Sequence, residues 1–177
     1  RLESFGLDLR HTPSVEAFCS EMLATHDRLD FIINNACQTV RRPAGFVRHL
    51  LEREAAGSGA LPAALRGPLG QHDALCRSLL AAPAGAPSGA TGAGAGALVA
   101  GSSRGYPEGL VHSAALSQRR YLDEDYLEGE SLFPSGRYDE DLQQVDLRDT
   151  NSWRLRLHEV ETPELLEVQL VNAIAPY

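Results

Sequence analysis

The sharpest pattern of apolar and polar positions is Leu29-Asp30-Phe31-Ile32-Ile33-Asn34-Asn35-Ala36-Cys37, a short β-branched and aromatic run that stops on two amides. It predicts a strand covered on both faces, as in a parallel sheet. Asn34 and Asn35 then stand at the strand's carboxyl end, the edge where open α/β sheets bind ligands. Turn chemistry alone also places Asn-Asn after a strand. Upstream, Phe5-Gly6-Leu7-Asp8-Leu9 predicts a second short strand ending at Arg10-His11. Between the two, Thr12 is placed to cap a helix with Pro13 at its first position. Val15, Phe18, Cys19 and Met22 follow at i, i+3, i+4 and i+7, one apolar face that Leu23 widens. Residues 5–36 therefore predict strand, helix, strand: a βαβ unit with a right-handed crossover.

Beyond Cys37 the pattern weakens. Residues 46–54 predict a short helix, with Phe46, Leu50 and Leu51 on one face and Arg48, Glu52 and Arg53 exposed. From Ala55 to about Gly105 the chain is rich in Ala, Gly, Pro and Ser, with at most a brief helix near 71–82. Such a stretch buries too little apolar area to offset its ordering entropy, so it is expected to be mostly disordered. Residues 106–141 turn acidic and aromatic. Asp123, Glu124, Asp125, Glu128 and Glu130 lack EF-hand spacing and are read as a solvated face or interaction surface, with no metal expected. Order is expected again near Gln144. Thr162-Pro163-Glu164-Leu165 predicts a helix start, and Leu166, Leu170, Val171 and Ile174 its buried face.

Composition narrows the chemistry. The 177 residues suffice for one ordinary domain, and a net charge of −8 argues against nucleic acid or an anionic membrane as partner. No run of about 18 apolar residues predicts a membrane span. Cys19, Cys37 and Cys76 are an odd set without CxxC spacing, which points to a reducing, cytoplasmic setting. Organellar import stays open, because the chain starts at Arg1 without a leader pattern and reads as an internal piece. All sixteen basic residues are Arg. Without lysine, Schiff-base chemistry and a P-loop are excluded for these residues. Cys37 has no His–Asp constellation beside it and reads as a small residue at a tight turn. Arg41 and Arg42 have the chemistry to pair an anionic group, but read more simply as solvated charges shaping a loop.

The run "LDLRHTPSVEAFCSEMLATHDRLDFIINNAC" resembles the short-chain dehydrogenase/reductase family: its third strand with an Asp, its third helix, and its fourth strand ending in Asn-Asn-Ala-Gly, with Cys37 in place of the Gly. "LLEVQLVNAIAPY" resembles the family's next helix, which carries a characteristic Asn, here Asn172. The resemblance implies an α/β fold, part of a Rossmann-like doubly wound parallel sheet with a long low-complexity insertion. Residues 1–54 would form the βαβ part, 55–143 the insertion, and 144–177 the return. It implies an NAD(P)-dependent oxidoreductase moving hydride between nicotinamide and a small carbonyl or alcohol substrate. Asp8, Asn34, Asn35, Ala36 and Cys37 would border the NAD or NADP, and Asn172 would serve the proton relay. On that helix a buried Asn is expected to bend or widen the turns around it.

The family's glycine-rich loop has no room before Asp8, and none of the five tyrosines is followed four positions later by Lys. Catalytic Ser, Tyr and Lys therefore cannot be placed, and these residues alone are expected to be inactive. Thr91-Gly92-Ala93-Gly94-Ala95-Gly96 spells a phosphate loop, but no strand precedes it, and it reads as a chance match in an Ala/Gly tract. Two other readings stand beside the enzyme: a non-catalytic dehydrogenase-like scaffold that binds a partner through 106–141, and a truncated product without function of its own. A homo-oligomer is left open.

Overall fold

The computed structural model describes residues 2–81 and 108–177, apart from the side chains of Glu52 and Arg53. Among the described residues six α-helices run in chain order: α1 (Thr12–Thr25), α2 (Ala44–Ala55), α3 (Ala63–Ala81), α4 (Glu108–Val111), α5 (Ser113–Leu116) and α6 (Thr162–Gln169). Short 3-10 turns fill several connections, and α6 continues into a π-helical turn over Leu170–Ile174.

The expected α/β fold is overturned. The described residues are helical and form no sheet, and their one ladder contact is an isolated antiparallel bridge between Tyr138 and Gln144. The reason lies in where the two predicted strands spend their hydrogen bonds. Near the first, the Ser4 N–H donates to the Pro68 carbonyl at 2.9 Å, and that of Asp8 to the Gly109 carbonyl at 2.8 Å. The segment before α1 is thus tied to α3 and α4 and not to a neighbouring strand. Phe31–Ile33 is left without regular structure and solvated, with Phe31 and Ile33 each 86% exposed. A strand without a neighbour has no ladder to complete.

The helix α1 forms where the pattern placed it, with a small shift. His11, not Thr12, is the N-cap residue, and its side chain makes no capping bond. Val15, Phe18 and Met22 are half-buried, while Cys19 and Leu23 face solvent. Phe18 meets Phe5 edge-on at 5.1 Å, and Phe5 meets the His72 ring of α3 at 6.2 Å. Gly109 of α4 comes so close to α1 that a Cβ there would lie 2.8 Å from the Cβ of His11. Part of the stretch expected to lack lasting structure is ordered, since Ala63–Ala81 builds α3 around an internal Pro68. Residues 82–107, including the Thr91–Gly96 match and Tyr106, lie outside the described residues.

The second half is organised by charge. Phe46 and Phe133 meet edge-on at 6.4 Å above α2. A Cβ at Gly45 would lie 2.7 Å from both the Leu127 carbonyl and the Phe133 ring, so α2 packs on this loop only with glycine there. Arg41 (2% exposed) and Asp125 (0%) lie inside, contrary to the solvated reading of both segments. Helix α6 and its π turn match the expected buried face only in part, at Val171 and half-buried Leu170. They bury Glu164, Glu167 and Val171, and leave Leu166 and Ile174 largely exposed.

Candidate functional site

A cavity of about 590 Å³ opens between the segment before α1, the loop after Asn35, and helices α2 and α6. Asp8, Ala36 and Cys37 line it together. Val40, Val47, Leu50 and Val171 give it apolar walls, and Arg10, Arg42, Glu54 and Glu167 give it charge. The volume lies within the range of small-molecule sites. Asn34 and Asn35 are exposed and do not line it.

Asp8 is held by its own turn. Its Oδ1 accepts from the backbone N–H and Nε of Arg10, each at 2.9 Å, and its Oδ2 accepts from Arg10 Nη2 at 2.5 Å. Arg10 also donates to Ser117 Oγ at 2.6 Å and lies 3.5 Å from Glu167. Burial works against the Arg10 charge, but the hydrogen bond and the field of Asp8 outweigh it and hold the guanidinium protonated.

Behind this wall stands Arg41. Its Nη2 donates to both Asp125 carboxylate oxygens, at 2.7 and 2.8 Å, and its Nη1 to Glu124 at 3.0 Å. Its Nε donates to the Tyr121 hydroxyl at 3.1 Å and lies 3.3 Å from Glu167. Its backbone N–H donates to Glu164 at 2.9 Å. Glu124 passes the chain of pairs to Arg148 at 2.8 Å, and Arg148 grips Asp146. The planar fork of arginine makes such multiple pairing possible where an ammonium would not. For Asp125 burial opposes ionisation. Arg41 and the N–H groups of Tyr121 and Leu122 overcome it, and the carboxyl titrates below its ordinary range. Burial and the hydrogen bond to Glu167 raise the Tyr121 pKa despite Arg41. Tyr121 therefore does not replace a tyrosine activated by lysine.

Asn172, in the rear segment of the family resemblance, pairs with Gln38, the residue that follows the front segment. The Gln38 N–H donates to Asn172 Oδ1 at 2.8 Å, and Asn172 Nδ2 donates back to the Gln38 carbonyl at 2.7 Å. The Gln38 side chain adds a 2.6 Å bond to Glu167. Asn172 lies within the π turn Leu170–Ile174, so the helix is widened at this residue, although Asn172 itself is exposed. It is next to Val171 of the cavity wall and does not line the cavity.

Arg10, Glu164 and Glu167 are not singled out by the sequence, and Arg41 and Asp125 read there as solvated charges. One signal was available: Glu164, Glu167 and Val171 share a helical face at i, i+3 and i+7, with Leu166 elsewhere. The arginine-only base composition was a second. Among the described residues no cluster of three His, Cys, Asp or Glu side chains is arranged to hold a metal ion, and no helix is long and apolar enough to cross a membrane. No family model matches the chain, and no curated protein or solved structure matches it either.

Proposed function

We propose that this chain is part of an NAD(P)-dependent oxidoreductase of the short-chain dehydrogenase/reductase type, acting on a carbonyl or alcohol in the complete protein. The observation that carries the reading is the reciprocal Gln38–Asn172 pair at the widened turn of the helix. It joins the loop after Asn-Asn-Ala-Cys to the residue that resembles the family's helix Asn. The reading takes from the family its chemistry and residue roles, and a parallel sheet has no part in it.

The residues present fit one end of a dinucleotide. Asp8, Ala36 and Cys37 border the cavity. Asp8 has about four acceptor sites, of which Arg10 takes three, leaving one on Oδ2 for an amino group such as adenine's. Among the described residues no glycine-rich loop at a helix N-terminus borders the cavity to hold a pyrophosphate. When bound, the nicotinamide supplies or accepts the hydride. Asn172 fixes the backbone of the loop at Gln38, and Glu167 fixes the Gln38 side chain. Proton transfer to substrate needs a Tyr–Lys pair, which these residues do not contain.

The scaffold reading is weakened by the same geometry. Glu124 and Asp125, the centre of the acidic stretch offered to a partner, are spent on Arg41 and Arg148 inside the molecule. The test is Asn172→Ala in the complete protein, where turnover should fall more than affinity for the cofactor. Equal losses, or a loss matched by unfolding, refute the assigned role. These 177 residues alone should give no change in nicotinamide absorbance with any carbonyl.

A further inference from the structure

The cavity holds two cations and three carboxylates, and they differ in how far they are satisfied. Asp8 is taken by Arg10. Glu54 accepts from Ser113 Oγ and, at 2.6 Å, from the Ala114 N–H. Glu167 accepts from Gln38 and Tyr121. Arg10 is engaged by Asp8, Ser117 and Glu167. Arg42 is different. It makes no hydrogen bond among the described residues, and its one ion pair is 3.6 Å to Asp146, whose two oxygens Arg148 already holds. Its Cζ lies over the Phe46 ring, 4.6 Å from the centroid, with the side chain 34% exposed. A guanidinium held over an aromatic ring, with no hydrogen bond of its own among the described residues, keeps its N–H donors available to pair a carboxylate or phosphate.

We infer that Arg42 is the anchor for an anionic group on an otherwise apolar ligand, whose body lies against Val40, Val47 and Leu50. The assignment rests on the proposed oxidoreductase reading in that the cavity bordered by Asp8, Ala36 and Cys37 on its cofactor side would take the substrate against Val40, Val47 and Leu50, and it names the substrate class: a molecule with an apolar body and a carboxylate or phosphate end. The neighbouring Arg41 takes no part, because all its donors face the interior. The three carboxylates do not repel the anion strongly, since each already faces a donor of the protein.

The probes are octanoate, octyl phosphate and octanol, titrated calorimetrically into the full 177-residue chain. The wild type should bind at least one of the two anions about tenfold or more tighter than octanol, and whichever anion binds tighter identifies the end group. Arg42→Ala should remove that advantage and leave octanol binding unchanged. Arg42→Lys should restore only part of it. Should Arg42→Ala fail to fold, amide shifts in the wild type decide: the tighter-binding anion must perturb residues 40–46 and α2. Equal binding of octanol and both anions, anion binding unmoved by Arg42→Ala, shifts elsewhere, or no binding of any probe would each overturn the inference. Failure of the oxidoreductase reading would look different: no hydride transfer by the complete protein, with anion binding to this chain intact.

Discussion

Two neighbouring stretches place their residues opposite to hydropathy. Around Arg41 an arginine and an aspartate lie fully inside. At Leu29–Ile33 an apolar run lies in water. The difference is one of partners. Every donor of Arg41 meets an acceptor within 3.3 Å, so its desolvation is offset by hydrogen bonds and by opposite charge. The apolar run needs only a covering surface, and the segment expected beside it is tied to α3 and α4. Burial therefore follows the availability of a complementary neighbour more closely than it follows residue type.

The largest effect should come from removing Arg41. Arg41→Ala leaves Asp125 buried and unpaired, which should cost about 3–5 kcal/mol in urea unfolding. Arg41→Lys should recover little, because an ammonium cannot fork to Asp125, Glu124 and Tyr121 together. A loss below about 1 kcal/mol would be that of a surface pair and would erase the contrast.

Acid should act on the same centre. The Asp125 carboxyl is opposed by burial but stabilised further by Arg41 and two backbone N–H groups, and it titrates below its ordinary value. Asp146 behaves alike under Arg148. In the unfolded chain both titrate near about 3.9. A folded pKa below the unfolded one adds stability above that value and loses it as pH falls through the folded value. Thermal unfolding should thus be flat from neutral pH down to about 5 and drop steeply below. Asp125→Asn should shallow the drop while lowering stability at pH 7. An unchanged slope would mean that the acid response arises elsewhere.

A smaller effect is expected at the junction of the two stretches. Asn172→Ala removes two hydrogen bonds to Gln38 on an exposed surface, each worth about 0.5–1.5 kcal/mol. The Gln38 amide should exchange faster with solvent than in the wild type. Asn172→Asp keeps the acceptor for that amide and loses the donor, so it should protect Gln38 while loosening the loop. Unaltered exchange in Asn172→Ala would show that Glu167 alone holds the loop.

Legibility followed the range of the interaction. Helix α1 could be read because its signal is local: Pro13 near the start and apolar residues at helical spacing. The same held for the start of α6 at Thr162-Pro163, whereas the helix widens at Asn172 without the burial that was expected of it. What could not be read depended on distant partners. Phe31–Ile33 has a strand's composition, yet strand pairing is settled by a neighbour that the segment itself does not specify. Asp125 looks like any acid in an acidic run, and only Arg41, far away in the chain, makes it an interior residue. Within the site, Asp8, Ala36 and Cys37 were named from motif and do share a cavity, whereas Arg42 became distinct only when the pairing of its neighbours was known.

The smallest effect should come from the apolar run, and it sets the other limb of the comparison. Phe31 touches almost nothing in this arrangement, so Phe31→Ser removes little buried area. Its cost in urea unfolding should stay within about 0.5 kcal/mol, as for surface substitutions generally. A buried Phe reduced to a small side chain would cost about 3–5 kcal/mol. Ile33→Ser should behave like Phe31→Ser, and the double variant should be additive, since neither side chain has a partner to couple through. Solubility should rise in both, because an exposed apolar segment with unpaired N–H groups invites association between chains. The free N–H groups of Ile32 and Ile33 should also exchange quickly with solvent, a readout independent of mutation. A loss of 2 kcal/mol or more, or slow exchange across 31–33, would mean that this run is covered. The contrast with Arg41 would then vanish, and both stretches would be interior.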